Sequence, residues 1–145
     1  MYYINGDVKE KYSTSKGCSD KSLPLEERQY IFKHPIYFAS TSKKWSGGMA
    51  FLDYENDGKS YGKIYKLRMS QFRDILEQEQ NCKLYDAILL VDYIDNLPVF
   101  TFTAQHKLYD LLNQPSDKYV EVITKGLLEL YNNLSTNEIK EYLKN

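Results

Sequence analysis

The hydrophobic period changes along this chain, and the change limits what it can fold into. Between Tyr30 and Thr103 most apolar residues fall in short strand-like runs, whereas beyond Pro115 they recur at helical spacing. Strands gathered in the middle and helices at the end predict an α+β domain rather than alternating βαβ units. The strand candidates are Tyr30-Ile31-Phe32, Ile36–Ala39, Met49–Leu52, Tyr61–Leu67, Ala87–Tyr93 and Val99–Thr103. They suit a small mixed β-barrel or sheet of about five to six strands. Tyr61, Lys63, Tyr65 and Leu67 share one side of a period-two strand. Glu55-Asn56-Asp57-Gly58 reads as a turn, and Asp95-Asn96-Leu97-Pro98 makes the last two strands a hairpin. Trp45-Ser46-Gly47-Gly48 marks a sharp backbone feature.

Helix signals are equally local. Ser70 caps a central helix over about 71–80. Ser116 or Asp117 caps a long amphipathic helix with Val120, Ile123, Leu127, Leu130 and Tyr131 on one face. Ser135-Thr136-Asn137-Glu138 is a capping box that opens a last helix through about Leu143. Residues 5–28 are polar and turn-rich and read as loop with a short helix. No repeat or linker divides the 145 residues, so one domain over 1–145 is expected.

Composition excludes several classes of function. A net charge of −1, with acids and bases interspersed, argues against a nucleic-acid surface. Cys18, Cys82, His34 and His106 form no metal-ligand spacing, so no metal is expected, and the two thiols read as reduced. The longest apolar run, Ala87–Val91, is far too short to cross a bilayer, so no membrane partner is expected. Met1-Tyr2-Tyr3-Ile4 lacks the layout of a secretory signal, which leaves the cytoplasm. The 14 Tyr and 6 Phe fit half-buried strands and pocket walls, although a bias of the source organism would give the same count.

One carboxylate stands out. On the central helix Phe72, Ile75 and Leu76 define an apolar stripe, and Glu79 completes its i, i+3, i+4, i+7 pattern. An acid on a core-facing stripe is costly unless it is paired or reaches a cavity. Burial raises a glutamate's pKa towards the range where it can both take and return a proton. The alternative is a side chain that swings from the helix end into water.

Several segments together resemble the gamma-glutamylcyclotransferase-like family. Tyr37-Phe38-Ala39 followed by Ser42-Lys43-Lys44-Trp45-Ser46-Gly47-Gly48-Met49-Ala50-Phe51-Leu52 is similar to the family's strand, Trp-x-Gly-Gly turn and strand. Tyr61-Gly62-Lys63-Ile64-Tyr65-Lys66-Leu67 is similar to its next strand. Met69 through Glu79 is similar to the helix that ends in the family's catalytic glutamate. Gly17-Cys18-Ser19-Asp20-Lys21-Ser22-Leu23-Pro24, Pro98–Thr103 and Pro115–Tyr119 resemble a bacterial branch, and the likeness spans about residues 17–143.

The resemblance implies an intramolecular aminolysis without metal or redox cofactor. The α-amino group of a gamma-glutamyl amine or amide attacks its own γ-carbonyl, 5-oxoproline closes, and the amine leaves. Glu79 is the implied general acid/base. Trp45, Gly47, Gly48, Tyr37 and Tyr61 are the implied substrate-binding residues, each with an ordinary turn or packing role as the alternative. The family's "Tyr-Gly-Ser-Asn" strand-loop has no counterpart here, because Met1-Tyr2-Tyr3-Ile4-Asn5-Gly6 resembles a segment on the C-terminal side of that loop. The expectation is a shortened start or a member without the loop. Its loss removes substrate-holding donors, so a non-catalytic module binding a small molecule or protein is the alternative function. An uncovered first-strand edge would also offer a pairing surface to a second copy.

Overall fold

The computed structural model describes residues 17–80 and 84–144. The Met1–Gly6 opening, residues 5–16 of the stretch expected to be loop with a short helix, and Cys82 lie outside the described residues. In chain order the elements are β1 (Glu26–Phe32), β2 (Ile36–Ser42), β3 (Gly47–Leu52), β4 (Ser60–Lys66), α1 (Met69–Gln80), β5 (Ala87–Ile94) and β6 (Leu97–Thr103). A 3-10 turn (Tyr109–Leu111), α2 (Asp117–Leu130) and α3 (Thr136–Leu143) complete the order. The class is α+β. Among the described residues the strands pair as three two-stranded ladders, β1–β4, β2–β3 and β5–β6, so these are small sheets rather than a closed barrel. No helix among the described residues is long and apolar enough to cross a membrane.

β1 starts in a stretch expected to be loop. Its first residues are exposed and polar, so no alternation announces them. Arg28 joins Glu26 at 2.9 Å and Asp95 at 2.8 Å, and Lys66 lies 3.6 Å from Glu26. These charges take the place of an apolar face.

The chain divides into two compact units, Met1–Arg28 with Ile64–His106, and Gln29–Lys63 with Lys107–Asn145. The first holds α1 and the β5–β6 hairpin. Asp95 and Asn96 have φ of 51° and 64°, the left-handed pair of a two-residue hairpin turn. Leu97 and Pro98 therefore already belong to β6, opposite Ile94 and Tyr93, and the turn is tighter than the four-residue turn expected. Phe72 of α1 stacks on Phe100 of β6 at 5.5 Å. Phe102 packs with Cys18, Ile75 and Leu67.

α1 begins at Met69, so Ser70 lies inside the helix rather than capping it. The buried line along it is Gln71, Ile75 and Glu79, with Phe72 and Leu76 half-buried beside it. Gln71 can occupy that line because its amide is satisfied. Nε2 donates to the carbonyls of Ser22 (2.7 Å) and Asp20 (3.3 Å), and Oε1 accepts from the Arg68 amide (3.3 Å).

In the second unit β2 and β3 run antiparallel, with Tyr37 opposite Phe51 and Ala39 opposite Met49. The register breaks between Ala39 and Ser42, where Ser40 sits at φ 59°. Phe38 joins Leu127, Tyr131, Ile139 and Leu143 in the core. The two C-terminal helices form where the sequence places them. Ser116 caps α2 by accepting the Tyr119 amide at 3.2 Å. In the Ser135–Glu138 box Ser135 Oγ accepts the Glu138 amide at 3.2 Å, and Glu138 accepts the Ser135 amide at 2.7 Å.

Candidate functional site

Glu79 lies on the last turns of α1 and is 4% exposed. The water-facing alternative therefore does not hold for this side chain. Periodicity was a sufficient signal, because Glu79 succeeds Gln71 and Ile75 at four-residue steps on the covered side of the helix. Cys18 in the same unit is buried, and its Sγ lies 3.6 Å from the Gln71 carbonyl. Burial, with Asp74 adding, pushes its pKa up and away from a reactive thiolate.

The other expected site residues belong to the second unit, and four of them meet one stretch of chain, residues 107–119. Tyr37 is buried against Phe51 and Tyr109, and its hydroxyl accepts the Leu108 amide at 3.3 Å. Burial raises its pKa. Trp45 stacks on Tyr119 at 5.3 Å, with the Lys44 and Lys118 ammonium groups 5.3 Å and 5.5 Å from its ring centre.

Gly47 and Gly48 open β3 rather than forming the turn itself. Ser46 supplies the positive φ, at 58°. The glycines answer a different need, close approach of backbone. A Cβ on Gly47 would meet the Ser116 nitrogen at 2.5 Å, and one on Gly48 would meet the Asn113 oxygen at 2.0 Å. The Gly48 amide donates to the Gln114 carbonyl at 2.8 Å.

The strap that causes this crowding enters the break in the β2–β3 register. Leu112 bridges to Ala39, and the Asn113 amide donates to the Phe38 carbonyl at 3.1 Å. Asn113 Nδ2 donates to the Ser40 carbonyl (2.9 Å) and to Thr41 Oγ1 (3.2 Å). Irregular ladders of this kind re-aim backbone groups.

Tyr61 is placed differently. Its ring meets Tyr131 and Tyr142 edge-on, each at 5.1 Å, and its amide donates to the Tyr142 hydroxyl at 3.2 Å. It lines an open groove of about 550 Å³ with Tyr142, Leu134 and Ile139, and Lys59 sits 4.9 Å from its ring centre.

One polar cluster was not foreseen. Asp53, 6% exposed just past β3, accepts hydrogen bonds at Oδ2 from the Tyr109 hydroxyl and from Asn56 Nδ2, the latter at 2.7 Å. Oδ1 lies 3.3 Å from Lys107 Nζ, which also meets Glu55 at 3.0 Å. Burial by itself would raise the Asp53 pKa; the bonds from Tyr109, Asn56 and Lys107 outweigh it and hold the carboxyl below its ordinary value. Glu55, then Tyr109 and Asp53, push the Lys107 pKa up against desolvation. Asp53 and Tyr109 are 56 residues apart, so no local spacing could have paired them.

No protein-family model and no curated protein matches the chain by sequence. A solved structure titled "Gamma-glutamyl cyclotransferase" matches it with a TM-score of 0.57 at 17% identity, over 83% of this chain and 72% of that one. The chain thus has a gamma-glutamylcyclotransferase-like fold. At that identity the likeness is one of fold.

Proposed function

We propose that the chain is a cytoplasmic enzyme that closes a gamma-glutamyl amine or amide to 5-oxoproline, with Glu79 as general acid/base. The observation that carries this is a carboxylate 4% exposed on the covered line of α1, at the position that resembles the family's catalytic glutamate. The fold likeness to a gamma-glutamyl cyclotransferase structure supports it. In this mechanism Glu79 removes a proton from the substrate's α-ammonium group. The freed nitrogen attacks the γ-carbonyl carbon, and the ring C–N bond forms. Glu79 returns that proton to the leaving nitrogen as the γ-amide C–N bond breaks, and the second proton, still on the ring nitrogen, passes through water to the released amine, which departs as an ammonium ion. Trp45, Tyr37, Gly47, Gly48 and Tyr61 are the substrate-binding residues that the family resemblance implies, and orientation of the substrate's chain supplies much of the acceleration.

A second reading has a specific observation behind it. The Gly48 amide, a donor of the kind a developing oxyanion needs, is taken by Gln114 of the chain itself. A protein in which that donor stays occupied would bind a small ligand or a protein without turning it over. Incubation with a panel of gamma-glutamyl dipeptides and gamma-glutamyl amines, with detection of 5-oxoproline, separates the two. Product supports the enzyme; ligand binding by calorimetry with no product supports the module. Pairing of two copies through an exposed strand edge belongs to the same proposal. A monomer in size-exclusion light scattering at high protein concentration would exclude it.

A further inference from the structure

We infer that residues 107–115 are an autoinhibitory latch that opens as a unit, and that in the closed state Asn113 and Gln114 occupy the place of a ligand's amide. The inference rests on the proposal that Gly47 and Gly48 belong to the ligand site.

The contacts of the strap are those of a bound peptide. Its Asn113 amide donates to the Phe38 carbonyl, its Gln114 carbonyl accepts from Gly48, and the Asn113 carboxamide reaches Ser40 and Thr41. Glycine at positions 47 and 48 gives this stretch of backbone a floor without side chains. Removing the strap returns to solution one N–H donor on β3, carbonyl acceptors at Phe38 and Ser40, and the Tyr37 hydroxyl. That set is complementary to a small amide bearing an N–H and a carbonyl, as a gamma-glutamyl amide does.

The strap is fastened chiefly by polar contacts. None of its side chains is fully buried: Tyr109, Leu111 and Leu112 are 43%, 53% and 61% exposed, and Leu108 and Pro115 are half-buried. Segments with few buried apolar contacts open locally at lower free energy than the core around them. Its front end is tied down by Asp53, through the Tyr109 hydroxyl and Lys107. Asp53 itself stays fixed through Asn56 Nδ2 and through its own amide, which donates to the Pro35 carbonyl at 2.9 Å. Opening therefore requires breaking one carboxylate-centred cluster and lifting a short backbone ladder, without disturbing the Phe38–Leu127–Ile139 core.

Native-state hydrogen exchange read by NMR, in rising but sub-denaturing guanidinium chloride, tests the latch directly. The Gly48 and Asn113 amides should exchange about tenfold or more faster than those of Leu127 and Ile139, with little denaturant dependence. Asp53→Asn should speed the first pair by about a further tenfold, and should speed the second pair by no more than its loss of global stability accounts for, so that the first pair stays the faster and keeps its weak denaturant dependence. Should Gly48 and Asn113 track Leu127 and Ile139 with the same denaturant slope in the unmodified protein, the latch is wrong; that comparison stands even if the variant does not fold. Exchange makes no use of turnover. Latch opening without 5-oxoproline therefore sinks the enzyme and keeps the latch, and turnover with globally coupled exchange does the reverse.

Discussion

The backbone oxygen of Asn113 lies 2.0 Å from the point where Gly48 would carry a Cβ. The obstacle is backbone rather than the end of a flexible side chain, so one of the two segments must move if the space is filled. Gly48→Ala should lower stability by about 1–3 kcal/mol, the usual range for overpacking. Guanidinium unfolding midpoints check this, and an unchanged midpoint would mean the strap shifts freely.

Gly126 supplies the contrast. It lies within α2, and nothing comes within 4 Å of a Cβ built on it. Gly126→Ala should therefore raise stability by about 0.5–1 kcal/mol, because alanine restricts the unfolded chain and favours the helix. The same unfolding measurement reads it, with a lowered midpoint as the contrary result.

Asp53 sets a dependence on acid. Its folded pKa lies below the ordinary value of 3.8, so its stabilising contribution is complete above that value and drains as pH falls through the folded one. The partners concerned are Tyr109, Asn56 and Lys107, with Glu55 competing for the ammonium group. Asp53→Asn should be less stable than the unmodified protein at pH 7, and the difference should shrink on acidification below about pH 4. A stability gap that does not change with pH would show that the carboxylate's charge is not what holds the strap.

The capping box gives a local test. Ser135→Ala removes the acceptor for the Glu138 amide and should cost about 0.5–2 kcal/mol. Loss should appear in the thermal midpoint together with lower helix content near α3. An unaltered midpoint would place the stability of α3 entirely in Ile139 and Leu143.

Local signals carried most of the fold. Ser116, Ser135 and Glu138 sit where the caps form, and the period of Val120, Ile123 and Leu127 marks the face that packs. Asp95-Asn96 makes the hairpin turn, although the strands run closer to it than the proline at 98 implied. β1 was partly hidden because its outer residues are charged and lack alternation. Glu79 was legible because a helix repeats its own geometry. The strap was not, since Gly48–Gln114 and Asp53–Tyr109 are long-range contacts made by a segment with no periodic pattern. Glycines at 47 and 48 marked a sharp backbone feature without showing that residues 113–116 press against them.

The most direct measurement of the central claim is the rate of 5-oxoproline release from a gamma-glutamyl dipeptide by the unmodified protein and by Glu79→Gln. The variant keeps the shape of the side chain and removes the proton acceptor. The account expects release by the unmodified protein and a loss on the order of 100-fold to 10,000-fold in the variant, with its unfolding midpoint retained. Equal release by the two proteins would contradict it.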